Sequence, residues 1–134
     1  MTYGDHVDDP IMGTTGPRFR TDVSMTIFLN PPDSYEGGEL VVRTPFGDQK
    51  VKLPAGDAVV YPSSSLHQVA PVTRGERLVA LTWIQSYVRD AARRELLYEL
   101  NLAREALLKE APGTPTTGYV DRSYANLLRM WAEL

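Results

Sequence analysis

Short bursts of alternating apolar and polar residues fill the first two-thirds of the chain, and the last third changes to helical spacing. Ser24-Met25-Thr26-Ile27-Phe28-Leu29 sets the pattern, and Asn30-Pro31-Pro32 stops it. Glu39 to Arg43 reads as the next strand. Phe46-Gly47-Asp48 turns it into Gln49 to Leu53, and Pro54-Ala55-Gly56-Asp57 turns again into Ala58 to Tyr61. Leu66 to Ala70 and Arg77 to Ser86 complete the series, separated by a turn at Thr73-Arg74-Gly75-Glu76. Strands so short and so regularly spaced predict an antiparallel sandwich or barrel.

From about Asp90 the texture shifts to Ala, Leu, Glu and Arg. Leu96, Leu97, Leu100, Ala103, Leu107 and Leu108 recur with the period of a helix that Asp90 could cap. Pro112 to Gly118 reads as a break. A second helix is expected from Ser123 to the end, with Tyr124, Leu127, Leu128 and Trp131 on one face. The fold class is therefore mainly β with C-terminal helices, a β core over residues 1–88 and a helical extension over 89–134.

Composition narrows the function. With 43% hydrophobic and 23% charged residues, the 134-residue chain is ordinary for a globular domain. No apolar run approaches the ~20 residues of a spanning helix, so no membrane partner is expected. The first residues do not read as a secretory leader, and a cytoplasmic location is the default. Net charge is -3, and the basic residues between Arg89 and Arg104 alternate with Asp90, Glu95 and Glu99, which argues against nucleic acid as a partner. The absence of cysteine removes disulfides and thiolate metal sites.

Candidate chemistry begins at His6-Val7-Asp8. Residues i and i+2 of an extended segment face the same way, so imidazole and carboxylate would be presented together. His67 is the one other histidine and completes a set of two His and one carboxylate, the facial arrangement that suits non-haem iron(II). With 17 acidic residues in the chain, a His-x-Asp pair alone is a weak signal. Arg77 adds a second. It follows His67 by ten residues, and the two are expected on opposite arms of one hairpin turned at Thr73 to Glu76. A guanidinium so placed could anchor the far carboxylate of a dicarboxylate chelated to the metal. Val59, Val60, Val79 and Leu81 are expected to keep the site dry.

The segments Tyr3-Gly4-Asp5-His6-Val7-Asp8, Arg20-Thr21-Asp22-Val23-Ser24, Ile27-Phe28-Leu29-Asn30 and Tyr35-Glu36-Gly37-Gly38-Glu39-Leu40 together resemble the bacterial PKHD-type hydroxylases, which are related to prolyl hydroxylases. Tyr61-Pro62-Ser63-Ser64-Ser65-Leu66-His67, Pro71 to Arg77 and Trp83-Ile84-Gln85-Ser86 carry the resemblance onward. It implies a double-stranded β-helix (jelly-roll) core, here incomplete at its N-terminus, because family members carry a sizeable segment ahead of the histidine–aspartate strand. It implies Fe(2+) on His6, Asp8 and His67, 2-oxoglutarate on Arg77, L-ascorbate as a supporting reductant, and molecular oxygen and a small-molecule or peptide substrate as reactants. A link to iron uptake is part of the same expectation. Related prolyl hydroxylases place a tyrosine near Phe28 to touch 2-oxoglutarate, and Tyr3 or Thr82 is expected to replace its hydroxyl. Strand edges left unpaired would invite a homo-oligomer.

Two other classes fit parts of the sequence. Gly56, Pro62 and His67 match the spacing of a cupin motif, which would make the chain a metal or small-molecule binder. Ser64 and Pro71, however, stand where that motif wants glycine and asparagine. An inactive fragment that keeps the dioxygenase fold is the third.

Overall fold

A computed structural model describes residues 4–134, and Tyr3 therefore lies outside the described residues. Among the described residues, ten short strands precede two helices. The strands are β1 (Ile11–Met12), β2 (Phe19–Arg20), β3 (Val23–Phe28), β4 (Glu36–Gly37), β5 (Leu40–Thr44), β6 (Gly47–Val51), β7 (Ala58–Pro62), β8 (His67–Val69), β9 (Val72–Arg74) and β10 (Val79–Ile84). The helices are α1 (Ala91–Glu110) and α2 (Pro115–Trp131). The chain divides into two compact units, one ending at Gln85 and the other beginning at Ser86.

Strand pairing in the first unit is nested. β3 pairs with β10, β4 with β9 and β5 with β8, all antiparallel. Such nesting is what a long hairpin gives when it is rolled up on itself, and it is the connectivity of a jelly roll. β7 adds to the free side of β3, and β6 to the free side of β5. The result is a β10-β3-β7 sheet, a β6-β5-β8 sheet and smaller β4-β9 and β1-β2 pairs.

β3 carries the clearest alternation. Ser24, Thr26 and Phe28 are buried, at 3%, 1% and 0% exposure, while Val23, Met25 and Ile27 are half-buried. Two hydroxyls on a buried face are costly unless they are hydrogen-bonded, so this face marks the lining of a polar site rather than plain core. Residues opposite one another in an antiparallel pair share a face. Tyr61 and Trp83 therefore join Ser24, Val59 and Leu81 join Thr26, and Val79 joins Phe28.

The pairing corrects two expectations. Val60 lies opposite Met25 on the other face and is 56% exposed, and Leu81 is 57% exposed, so the proposed apolar seal reduces to Val59 and Val79. His67 and Arg77 also do not share a hairpin. β8 is claimed by β5 and β10 by β3, with β9 between them paired to β4, because rolling the chain separates strands that are neighbours in sequence.

The second unit is a pair of packed helices. Asp90 caps α1 as expected, accepting from the Arg93 N–H at 2.8 Å. Leu97 is buried and Leu100 and Leu107 are half-buried, while Leu96 lies outside the packed stripe at 57% exposure. Helix α2 starts at Pro115, eight residues earlier than expected. Thr114 accepts from the Thr117 N–H and Pro115 takes the first helical position, where its missing N–H costs nothing. Tyr124, Leu127, Leu128 and Trp131 are the half-buried face of α2. Arg104 Nε donates to Asp121 Oδ1 at 2.6 Å across the helix pair. Among the described residues, no helix is long and apolar enough to cross a membrane.

Candidate metal centre

His6 and His67 face each other across a two-way backbone bridge. The His6 N–H donates to the His67 carbonyl and the His67 N–H to the His6 carbonyl, each at 2.9 Å. This bridge replaces the full strand expected at His6 to Asp8, but it keeps the extended geometry that turns both side chains one way. The imidazole centroids stand 4.4 Å apart. His67 is further fixed by lying opposite Val42 in the β5–β8 pair, and the Asp8 N–H donates to the Ser63 carbonyl at 3.3 Å.

Each imidazole is oriented by its own backbone. Nδ1 of His6 bonds the Gly4 carbonyl at 2.7 Å, and Nδ1 of His67 bonds the Ser65 carbonyl at 2.9 Å. A carbonyl can only accept, so Nδ1 carries the proton and Nε2 presents its lone pair. Those Nε2 atoms lie 4.0 Å (His6) and 3.7 Å (His67) from Asp8 Oδ1. All three ligand atoms fall within 4.8 Å of one another. These separations are too long for hydrogen bonds. They are wider than the about 3 Å between ligand atoms that sit at right angles about 2.1 Å from one ion, so the three side chains would close in on binding one.

Asp8 is held by its other oxygen. Ser24 Oγ donates to Asp8 Oδ2, and Ser24 Oγ is itself 2.7 Å from Ser63 Oγ. The hydroxyl pair leaves Oδ1 aimed at the two imidazoles. Sequence reasoning did not single out Ser24 or Ser63. The available signal was the run of Ser24, Thr26 and Phe28 at alternate positions of one strand, with polar residues where a core face wants apolar ones. His67 is buried at 4% exposure, while His6 and Asp8 are half-buried, so the centre is closed on one side and open on another. Two nitrogens and one carboxylate oxygen, with no thiolate, are a donor set that fits non-haem iron(II).

Arg77 lies in the segment between β9 and β10, with its guanidinium 5.8 Å from the centre of the Phe28 ring. Its Nε is shielded from solvent and has no hydrogen-bond partner among the described residues. Burial pushes its pKa below the ordinary arginine value, and the nearby Tyr35 and Tyr61 hydroxyls oppose that shift. A second buried polar atom without a partner is Tyr35 Oη. A Cβ built on Gly38 would lie 3.0 Å from Tyr35 Cε2 and 3.1 Å from Arg77 Cδ, so glycine leaves space where these two side chains meet. Thr82, expected to stand in for a hydroxyl at Phe28, lies opposite Met25 and faces away. Tyr3 falls outside the described residues.

β3 spans the whole arrangement, from Ser24 at the Asp8 carboxylate to Phe28 beside Arg77. At about 3.4 Å per residue, the two ends lie about 14 Å apart along the strand. Tyr61 stands between them, with its ring 5.1 Å from that of His67. Desolvation raises the Tyr61 pKa, so the phenol stays protonated.

Comparison with known proteins identifies the family. Residues 1–85 match the 2OG-Fe(II) oxygenase superfamily, and residues 90–133 match the PKHD-type hydroxylase C-terminal domain. A PKHD-type hydroxylase of Thioalkalivibrio sulfidiphilus is 61% identical over 134 residues, which cover 100% of this chain and 60% of that protein. One from Verminephrobacter eiseniae is 50% identical over 133 residues, covering 98% of this chain and 59% of that protein. The chain thus spans about 60% of the length of the relatives it matches. It belongs to the 2OG-Fe(II) oxygenase superfamily, with a mainly β core followed by the C-terminal helices of the PKHD-type hydroxylases.

Proposed function

We propose that the chain forms the core of an iron(II)- and 2-oxoglutarate-dependent dioxygenase that hydroxylates a small molecule or peptide. The observation that carries this reading is the convergence of His6 Nε2, His67 Nε2 and Asp8 Oδ1 at one end of β3, with the half-buried Arg77, whose Nε has no hydrogen-bond partner among the described residues, at the other. In this reading His6, Asp8 and His67 hold the metal on one face and leave the opposite positions open. When bound, iron(II) and 2-oxoglutarate supply the oxidising chemistry, in which the oxo acid and dioxygen give succinate, carbon dioxide and a hydroxylated substrate.

The remaining work belongs to side chains of this chain. Gly4 and Ser65 carbonyls fix the imidazole tautomers, and Ser24 fixes the carboxylate rotamer. Arg77 binds the far carboxylate of 2-oxoglutarate through a charge-assisted contact that restores a partner to a desolvated cation. Val59 and Val79 line the interval between the two ends. L-ascorbate as a supporting reductant and a link to iron uptake go with this reading through the family resemblance, and a cytoplasmic location is proposed alongside them.

Succinate release tests it. The chain, supplied with iron(II), 2-oxoglutarate and oxygen, is expected to convert 2-oxoglutarate to succinate, faster when a true substrate is added. A chain that binds both iron(II) and 2-oxoglutarate and yet releases no succinate with any candidate substrate would instead be a binder or an inactive fragment.

A further inference from the structure

We propose that Tyr35 is a second anchor for the cosubstrate, its hydroxyl donating a hydrogen bond to the same distal carboxylate that Arg77 holds. The proposal rests on the 2-oxoglutarate reading and adds a residue that the sequence reading did not consider.

The starting point is a cost without a visible return. Tyr35 is 2% exposed, yet its hydroxyl has no hydrogen-bond partner among the described residues. An unpaired buried polar group costs roughly 1–3 kcal/mol. The same accounting applies to Arg77 Nε, the other such atom among the described residues. Both belong to side chains that meet over Gly38; the phenol oxygen is able to accept from a guanidinium N–H, but no such bond forms, and both atoms remain without a partner among the described residues. Two unmatched donors at one place call for an acceptor with more than one oxygen. A carboxylate meets that need with two oxygens and about four lone-pair sites.

Three features hold Tyr35 in this role. Lys52 Nζ donates to the Tyr35 carbonyl at 2.8 Å and sits 4.0 Å from the ring centroid, clamping backbone and ring together. Gly38 has a φ of +70° and no side chain, which gives the ring edge its room. Burial raises the phenol pKa above its ordinary value, so the hydroxyl stays protonated and able to donate. Phe28, at the far end of β3, has no hydroxyl to offer and instead packs its ring beside the guanidinium. The second donor therefore comes from the loop between β3 and β4 rather than from the strand.

Anaerobic calorimetry on the iron(II)-loaded chain tests the proposal with two probes. These are 2-oxoglutarate and 2-oxopentanoate, which has the same five carbons with a methyl in place of the distal carboxylate. Tyr35→Phe keeps the ring and removes the hydroxyl. It is expected to weaken 2-oxoglutarate binding about ten- to a hundred-fold, as loss of a hydrogen bond to a charged group does. Binding of 2-oxopentanoate and of iron(II) should stay at the parent value, and the unchanged iron(II) affinity also reports that the variant is folded. An unchanged 2-oxoglutarate affinity, or an equal loss for both oxo acids, would overturn the role of Tyr35. Arg77→Ala separates the underlying reading. If it too leaves the preference for 2-oxoglutarate over 2-oxopentanoate intact, the whole anchor assignment fails and not only Tyr35.

Discussion

At the scale of single residues, the histidines and the aspartate were legible because their side-chain chemistry is rare and their spacing obeys the two-residue period of extended chain. The residues that orient them were not, because serine is common and nothing in its identity marks which hydroxyl reaches a carboxylate 16 positions away. Ser24 is the case in point. It bonds the Asp8 oxygen that does not face the imidazoles, and it is bonded in turn to Ser63. Ser24→Ala should leave Asp8 free to rotate and weaken iron(II) binding about ten- to a hundred-fold, the usual cost of losing a partner that orients a ligand. An iron(II) titration that gives the parent affinity would show that Ser24 fills space and no more. Arg77 was legible as a candidate, but its surroundings were not. The replacement for a hydroxyl at Phe28 was sought at Thr82, on the correct strand pair and the wrong face. Tyr35, buried against Arg77 over Gly38, comes from a loop that carries no periodic signal.

At the scale of elements, the longer strands were readable to within a residue or two, the short β1, β2, β4 and β9 were not read as strands, and partners were not readable. Alternation says which residues face together, but long-range pairing decides which strands meet. That is why His67 and Arg77 were wrongly joined in one hairpin. Helix α2 shows the opposite error. Thr114-Pro115 was read as a break, although the same pair is a capping residue followed by a proline at the first helical position. The turn before β5 illustrates how tightly backbone approach constrains sequence. Gly37 has a φ of +71°, and a Cβ there would collide with the Pro71 carbonyl on the facing strand segment. Gly37→Ala should therefore cost more than the ~1–2 kcal/mol of the left-handed conformation alone. Gly56→Ala, at a φ of +94° with nothing within 4 Å, should cost only that conformational term. Urea unfolding of the two variants checks the ordering, and equal losses would contradict the close approach at Pro71.

At the scale of the whole molecule, the change of texture near residue 88 was read as the boundary between a β core and a helical extension, and the structure divides the chain after Gln85. The jelly-roll class was implied by family resemblance; strand count and spacing alone predicted only a sandwich or barrel. Pairing of β3 with β7 brings Ser63 beside Ser24, and the His6–His67 bridge brings Asp8 to the same place, so residues distant in sequence meet there. The function reading depends on that place being a metal site. The most direct check is an anaerobic iron(II) titration of the parent chain against Asp8→Ala. Loss of a ligand should exceed the ten- to hundred-fold effect of losing a residue that merely orients one, so the variant is expected to bind iron(II) more than about a hundred-fold more weakly. Equal affinity in the two proteins would contradict the assignment of His6, Asp8 and His67 as the iron site.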